Sequence, residues 1–169
     1  MKRSASLTDA QMQAMLRAEH GGMNEVLADV YAMTGEQKYM DLAVRFSHQA
    51  ILQPLAARQD KLTGLHANTQ IPKVIGFERI GALTGRRDWQ QAAQFFWQTV
   101  HDKRTVAIGG NSVKEHFHDE HDFSSMVDEV EGPETCNTYN MLKLTEQLFQ
   151  RDEQVQYTDY YERALYNHI

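Results

Sequence analysis

Glu134 and Cys136 stand two residues apart in the run Gly132-Pro133-Glu134-Thr135-Cys136, and Cys136 is the only cysteine. A carboxylate and a thiol at that spacing can share a metal ion or do acid/base chemistry. Residues two apart on a formed helix do not face each other. At a helix N-terminus the backbone is still leaving the loop, and both side chains can converge. Pro133 suits the first helical position. The helix dipole there favours anions, which predicts a lowered thiol pKa. Zinc accepts both donor types, but two ligands do not make a zinc site. The plain alternative is a buried core cysteine beside a helix-capping acid.

Other segments carry candidate chemistry. His116, His118 and His121 lie beside carboxylates and could bind a transition metal; the alternative is a solvated, histidine-rich loop. His66, Asn68 and Gln70 alternate just before an apolar helical pattern. In extended form they point to one side, which suits the hydroxyls of a sugar. Equally, Asn68 or Thr69 can simply cap the helix. His20 and Glu25 flank Gly21-Gly22, where glycines allow close approach of a ligand or neighbour; Glu25 also fits as a first-turn acid. Gly109-Gly110-Asn111-Ser112 repeats the theme. Set on helical hairpins, these polar segments would line one mouth.

The remaining composition narrows the classes. The 169 residues are 41% hydrophobic and 24% charged, as in an ordinary soluble domain with a core. A net charge of -6 argues against a nucleic-acid or anionic-membrane partner. No apolar run is long enough to span a bilayer. The start, with Lys2 and Arg3, has no apolar stretch behind it and does not read as a secretory signal. A single cysteine leaves no intrachain disulfide.

The elements that must position these residues read as nearly all α. Thr8 caps a first helix, with Gln11 at the capping-box position. Helices follow over 23–33, 38–52, 71–83 (Pro72 in its first turn), 88–101, 133–149 and from 154 to the end. Pro54, Asp60 and Gly64 mark a loop. Thr105-Val106-Ala107-Ile108 is the one short β-like run. The long segment 103–132 is too long to be mere connection. A repeat runs through the chain. Tyr31 to Gly35 leads into Lys38-Tyr39, Gly81 to Gly85 leads into Asp88-Trp89, and Leu148 to Asp152 leads into Gln156-Tyr157. Gly35 and Gly85 supply left-handed helix ends. Such helical hairpins form an array in which each buries its face on its neighbours.

Five blocks in order, EHGGMNEVLADVYAMTG, LTGLHANTQIPKVIG, IGGNSVKEHF, GPETCNTYNMLKLTEQLF and YYERALYNHI, resemble the β-L-arabinofuranosidase clan of glycoside hydrolases, families 127 and 146. GLHANTQIPK and ETCNTYN look more like family 146. The resemblance implies an all-α fold of helical hairpins, part of an (α/α)6 toroid, with residues 1–169 a partial catalytic domain lacking the family's β-sandwich domains. It implies release of β-L-arabinofuranose from plant glycans with retention of configuration, using a zinc-bound cysteine nucleophile. By motif position, Glu134 matches a glutamate that is both acid/base and zinc ligand, and Cys136 a zinc-ligand cysteine. His66 and Glu115 are similar to sugar-contacting residues; Gln70, Asn68, Glu25 and His20 are further substrate-binding candidates.

In the family the nucleophile and its neighbouring zinc cysteine lie in a later block. The chain therefore looks like a middle slice, expected to be inactive alone and poor at holding zinc. Its open apolar ends are expected to favour self-association. A non-catalytic glycan-binding or remnant module is the competing reading. Family members often act on periplasmic or extracellular glycans, but nothing in the chain assigns a compartment.

Overall fold

The computed structural model describes residues 6–18 and 20–169. The basic start with Lys2 and Arg3, and Glu19 of the first motif block, lie outside the described residues. Among those described, the chain is helical, with isolated β-bridges in place of strands. The helices are α1 (Asp9–Met15), α2 (Met23–Thr34), α3 (Gln37–Arg45), α4 (Gln49–Ala56), α5 (Ala67–Thr84), α6 (Arg87–Arg104), α7 (Ser124–Asp128), α8 (Thr135–Arg151) and α9 (Val155–Asn167).

Three hairpins stack side by side. Helix α2 pairs with α3, α5 with α6, and α8 with α9. Helix α5 lies between α2 and α8, while α4 packs on α6. The result is two layers, α2, α5 and α8 in one and α3–α4, α6 and α9 in the other. Because each first-layer helix is followed by a second-layer helix running back, all three start at the same end. The polar segments 16–22, 57–66 and 105–134 therefore meet there, as a mouth of this kind requires.

Local chemistry explains most helix ends. Thr8 and Gln11 form the full capping box of α1. Gly35 and Gly85 end α2 and α5 with φ of 70° and 71°, where an L side chain is strained. The third turn is built differently: Asp152 is extended, and no left-handed residue is needed. The layers lock through Trp97 of α6. Its ring meets Tyr157 and Tyr160 edge-on, and its Nε1 donates to Thr145 Oγ1 at 2.8 Å. One side chain thus ties α6, α8 and α9.

Several boundaries depart from the sequence expectation. The helix expected over 38–52 is broken at Phe46-Ser47-His48, and Pro54 lies within α4 rather than in a loop. The break is held by Gln13 of α1. Its amide donates to the Arg45 and Ser47 carbonyls, and its Oε1 accepts from Gln49 N–H at 2.8 Å. Helix α5 starts at Ala67, so 67–70 are helical, not extended, and Pro72 lies beyond the first turn. The β-like run 105–108 yields a single bridge, Thr105 to Asn111. The last helix ends at Asn167, capped by His168, rather than running on. On α2 the buried face is Asn24, Leu27 and Ala28, while Met23 and Val26 are exposed although they share the helical spacing of Leu27.

Candidate active site

Helix α8 begins two residues later than expected. Glu134 is its N-cap and Pro133 lies outside. An N-cap side chain ordinarily accepts from the backbone N–H groups of the first turn. Glu134 makes no such bond. Its Oε2 instead accepts from Cys136 Sγ at 3.5 Å. The thiol is exposed, so the buried-cysteine alternative does not hold. Its pKa is raised, first by partial desolvation and then by the Glu134 carboxylate. The lowering expected from the helix dipole is therefore outweighed in this state.

Glu115 reaches the same place from a strained turn. Lys114 and Glu115 both have positive φ, 45° and 66°, and Val113 and His116 exchange backbone hydrogen bonds across them. Such turns favour glycine or asparagine at both positions. Non-glycine residues held there signal a constraint imposed by their surroundings. The surroundings are visible. The Glu115 carbonyl accepts from Ala67 N–H at 2.7 Å, so this turn caps the backbone of α5. Lys114 N–H donates to the Glu131 carbonyl, and Phe117 N–H to that of Leu65.

His66 is the N-cap of α5. Its Nδ1 accepts from Thr69 N–H at 3.3 Å, which leaves the proton on Nε2. That Nε2 faces Glu115 Oε2 at 3.6 Å, and the ring lies edge-on to His116. Lys114, Glu115, Glu131, Gly132 and Glu134 line an open cleft of about 320 Å³. Lys114 is turned to Glu129 at its rim, at 2.6 Å. The cleft thus carries three carboxylates beside a thiol and an imidazole N–H. It suits a cation and hydroxyl-bearing ligands, and it can accept or deliver a proton.

The other candidates fall into two places. Asn68 accepts from Asn140 Nδ2 at 2.8 Å, and Glu25 pairs with Lys143 at 3.1 Å, so both bridge to α8. Gln70 and His20 belong to a buried polar group with His48, Lys73 and Asn24. Lys73 is 2% exposed; its Nζ donates to Gln70 Oε1 at 3.0 Å and to His48 Nδ1 at 3.2 Å. Asn24 donates to the Lys73 carbonyl, and the His20 ring meets His48 edge-on. Asn140 and Lys143 escaped the sequence reading. They follow Cys136 at helical spacing on one face of α8, and that period was the available signal. Lys73 had one too, as a lysine within an otherwise apolar stretch.

The His116, His118, His121 metal alternative fails on geometry. His116 faces His66, His118 is buried against Phe123, and His121 is exposed beside Glu120. Among the described residues no group of three His, Cys, Asp or Glu side chains is placed to hold a metal ion.

A sequence model of the β-L-arabinofuranosidase GH127 catalytic domain matches residues 1–169. The chain belongs to the GH127 family. Two solved structures share its fold. One is a GH127 β-arabinofuranosidase, at 22% identity and TM-score 0.69, matched over 86% of this chain and 24% of that one. The other is a GH127 β-L-arabinofuranosidase from Geobacillus stearothermophilus T6, at 20% identity and TM-score 0.64, over 85% and 27%. The chain thus spans about a quarter of the length of these relatives. No curated protein matches it. The three hairpins are part of the GH127 (α/α)6 toroid, and the mouth segments stand at the starts of its first-layer helices.

The buried group behind the mouth makes a pH prediction. His48 has a pKa lowered to about 4, chiefly by burial and then by Lys73, His20 and Arg17. In the unfolded chain a histidine titrates at about 6.5. The folded value is the lower one, so the unfolded chain takes up the proton first. Stability present above the unfolded pKa is lost as pH falls from about 6.5 towards 4. Urea midpoints are expected to drop across that window in the wild type and to drop less in His48→Gln. Parallel pH curves for the two proteins would sink this account.

Proposed function

We propose that this chain forms one wall of a β-L-arabinofuranosidase active site acting, with retention of configuration, on arabinose-containing plant glycans. The observation that carries the reading is the cleft itself. Glu115 and Glu134 arrive from separate segments to line it, beside the single thiol and the His66 imidazole. Glycoside hydrolysis requires a proton delivered to the departing oxygen by a positioned group.

The resemblance gives Glu134 both the acid/base and the ligand role. The geometry favours dividing them. A carboxylate that binds a cation with a thiolate is held ionised and is a poor proton donor. Glu134 is the carboxylate beside Cys136. Glu115 is free of that contact, and its Oε2 lies 3.6 Å from His66 Nε2. We therefore assign proton delivery to Glu115 and metal binding to Glu134 and Cys136. Their chemical types suit zinc, but two donors do not complete a four-coordinate site. A zinc ion here needs ligands beyond the described residues; when bound it supplies Lewis acidity and holds the thiol as thiolate.

His66 then contacts the incoming sugar, and Asn68, Gln70, His20 and Glu25, with polar groups paired inside the protein, support the wall behind it. On this reading the site is shared with parts of the catalytic domain that the chain does not contribute. The 169-residue chain is expected to release no product from an aryl β-L-arabinofuranoside above the uncatalysed rate. Titration with L-arabinose is expected to shift the NMR signals of His66, Glu115 and Cys136 before others. Hydrolysis by the chain alone would overturn the shared site, and shifts confined to other residues would overturn the cleft.

A further inference from the structure

The geometry points to His168 as the positioning residue for Glu134 and Cys136, an inference that rests on the reading of those two as site residues. Both nitrogens of its ring are engaged. Nε2 lies 3.1 Å from the Pro133 carbonyl, and Nδ1 2.7 Å from Thr138 Oγ1. A carbonyl can only accept, so Nε2 carries the proton and donates to Pro133. Nδ1 is then the acceptor, and the Thr138 hydroxyl donates to it. One tautomer thus satisfies both contacts, and each contact enforces the other.

The two partners bracket the site pair. Pro133 directly precedes Glu134, and Thr138 follows Cys136 in the first turn of α8. Glu134 lacks the side-chain cap bond that would ordinarily fix an N-cap residue. Its backbone must therefore be fixed by other groups, and His168 holds the carbonyl just before it. The ring has a built seat. A Cβ on Gly110 would stand 2.7 Å from His168 Cε1 and 2.6 Å from Pro133 Cβ, so only glycine leaves room for this contact. From the other side, Asn137 Nδ2 donates to Ser112 Oγ at 2.5 Å. The end of α9 thereby sets the angle at which the chain enters α8. That angle decides whether the Glu134 carboxylate meets the Cys136 sulfur.

Cys136 is the only thiol, so alkylation by iodoacetamide reports on one site. A carboxylate beside the sulfur disfavours thiolate. His168→Ala releases Pro133, Glu134 moves off the sulfur, and alkylation at one neutral pH is expected to accelerate roughly three- to tenfold. His168→Gln keeps a donor and an acceptor on one side chain and restores the wild-type rate. Glu134→Gln removes the charge and accelerates alkylation by itself. An unchanged rate in Glu134→Gln would remove the Glu134–Cys136 pairing and the site reading with it. Acceleration in Glu134→Gln but not in His168→Ala, with only the melting temperature lowered, would make His168 merely structural and overturn the inference. So would failure of His168→Gln to restore the rate.

Discussion

Replacing Arg104 by methionine is expected to lower the unfolding free energy by about 3–5 kcal/mol, the usual cost of stranding a buried partner charge. Arg104 is fully buried at the end of α6. Its Nη1 lies 2.6 Å from Asp60 Oδ2, its Nη2 donates to Thr63 Oγ1, and its Nε donates to the His118 carbonyl. One guanidinium therefore joins the loop before α5 to the long loop before α8. Those loops carry His66 and Glu115. Methionine fills much of the same volume, so the loss comes from Asp60, whose side chain is 11% exposed and would keep a charge without a counterion. At this chain length the melting temperature is expected to fall by roughly 6–20 °C. Asp60→Leu added to Arg104→Met is expected to recover much of the loss, because a hydrophobic pair of similar size can replace a buried ion pair. The amides of Gly64 and Phe117, which bond across the two loops, are expected to exchange faster in the single variant. A loss under about 1 kcal/mol, or a double variant no better than the single, would refute the account.

What could be read from sequence was what depends on neighbours in sequence. The capping box at Thr8 and the glycine ends at Gly35 and Gly85 are local devices, and they stand where the pattern put them. The hairpin repeat followed from the same devices. The break at Phe46-Ser47-His48 was illegible because its backbone groups are satisfied by Gln13, distant in sequence. The early start of α5 was hidden for a like reason. A histidine caps it, and the Glu115 carbonyl takes the Ala67 N–H. In the site, the motif was enough to bring Glu134, Cys136, His66 and Glu115 into consideration. It did not show that Cys136 is exposed or that its thiol pKa is raised, since both depend on how α8 leaves the loop. Nor could it scatter the three histidines of the long loop, whose local density suggested a metal centre. Charged groups buried in the core, Lys73 and Arg104, broke the apolar pattern in ways that only their distant partners explain.

Gly109→Ala is expected to cost about 3–5 kcal/mol, the sum of a strained backbone and an overpacked contact. Gly109 has φ of +98°, outside the range a side chain tolerates. The new Cβ would stand 2.5 Å from Ala164 Cβ and 2.6 Å from Ala164 Cα. Those atoms belong to α9, so the whole helix must shift rather than one side chain. The Gly109 carbonyl also accepts from the hydroxyl of buried Tyr160 at 3.1 Å, and a shifted α9 stretches that bond. Gly35→Ala separates the two terms. Gly35 has φ of +70° but nothing within 4 Å of the added carbon, so only strain remains, about 1 kcal/mol. The consequence reaches the site because α9 ends in His168. If α9 is pushed outward, the imidazole leaves Pro133 and Thr138, and Cys136 is expected to alkylate faster in Gly109→Ala than in Gly35→Ala. Equal stability losses in the two variants, measured by urea unfolding, would show that α9 does not press on this loop. Equal alkylation rates despite unequal losses would show that its docking does not reach Glu134.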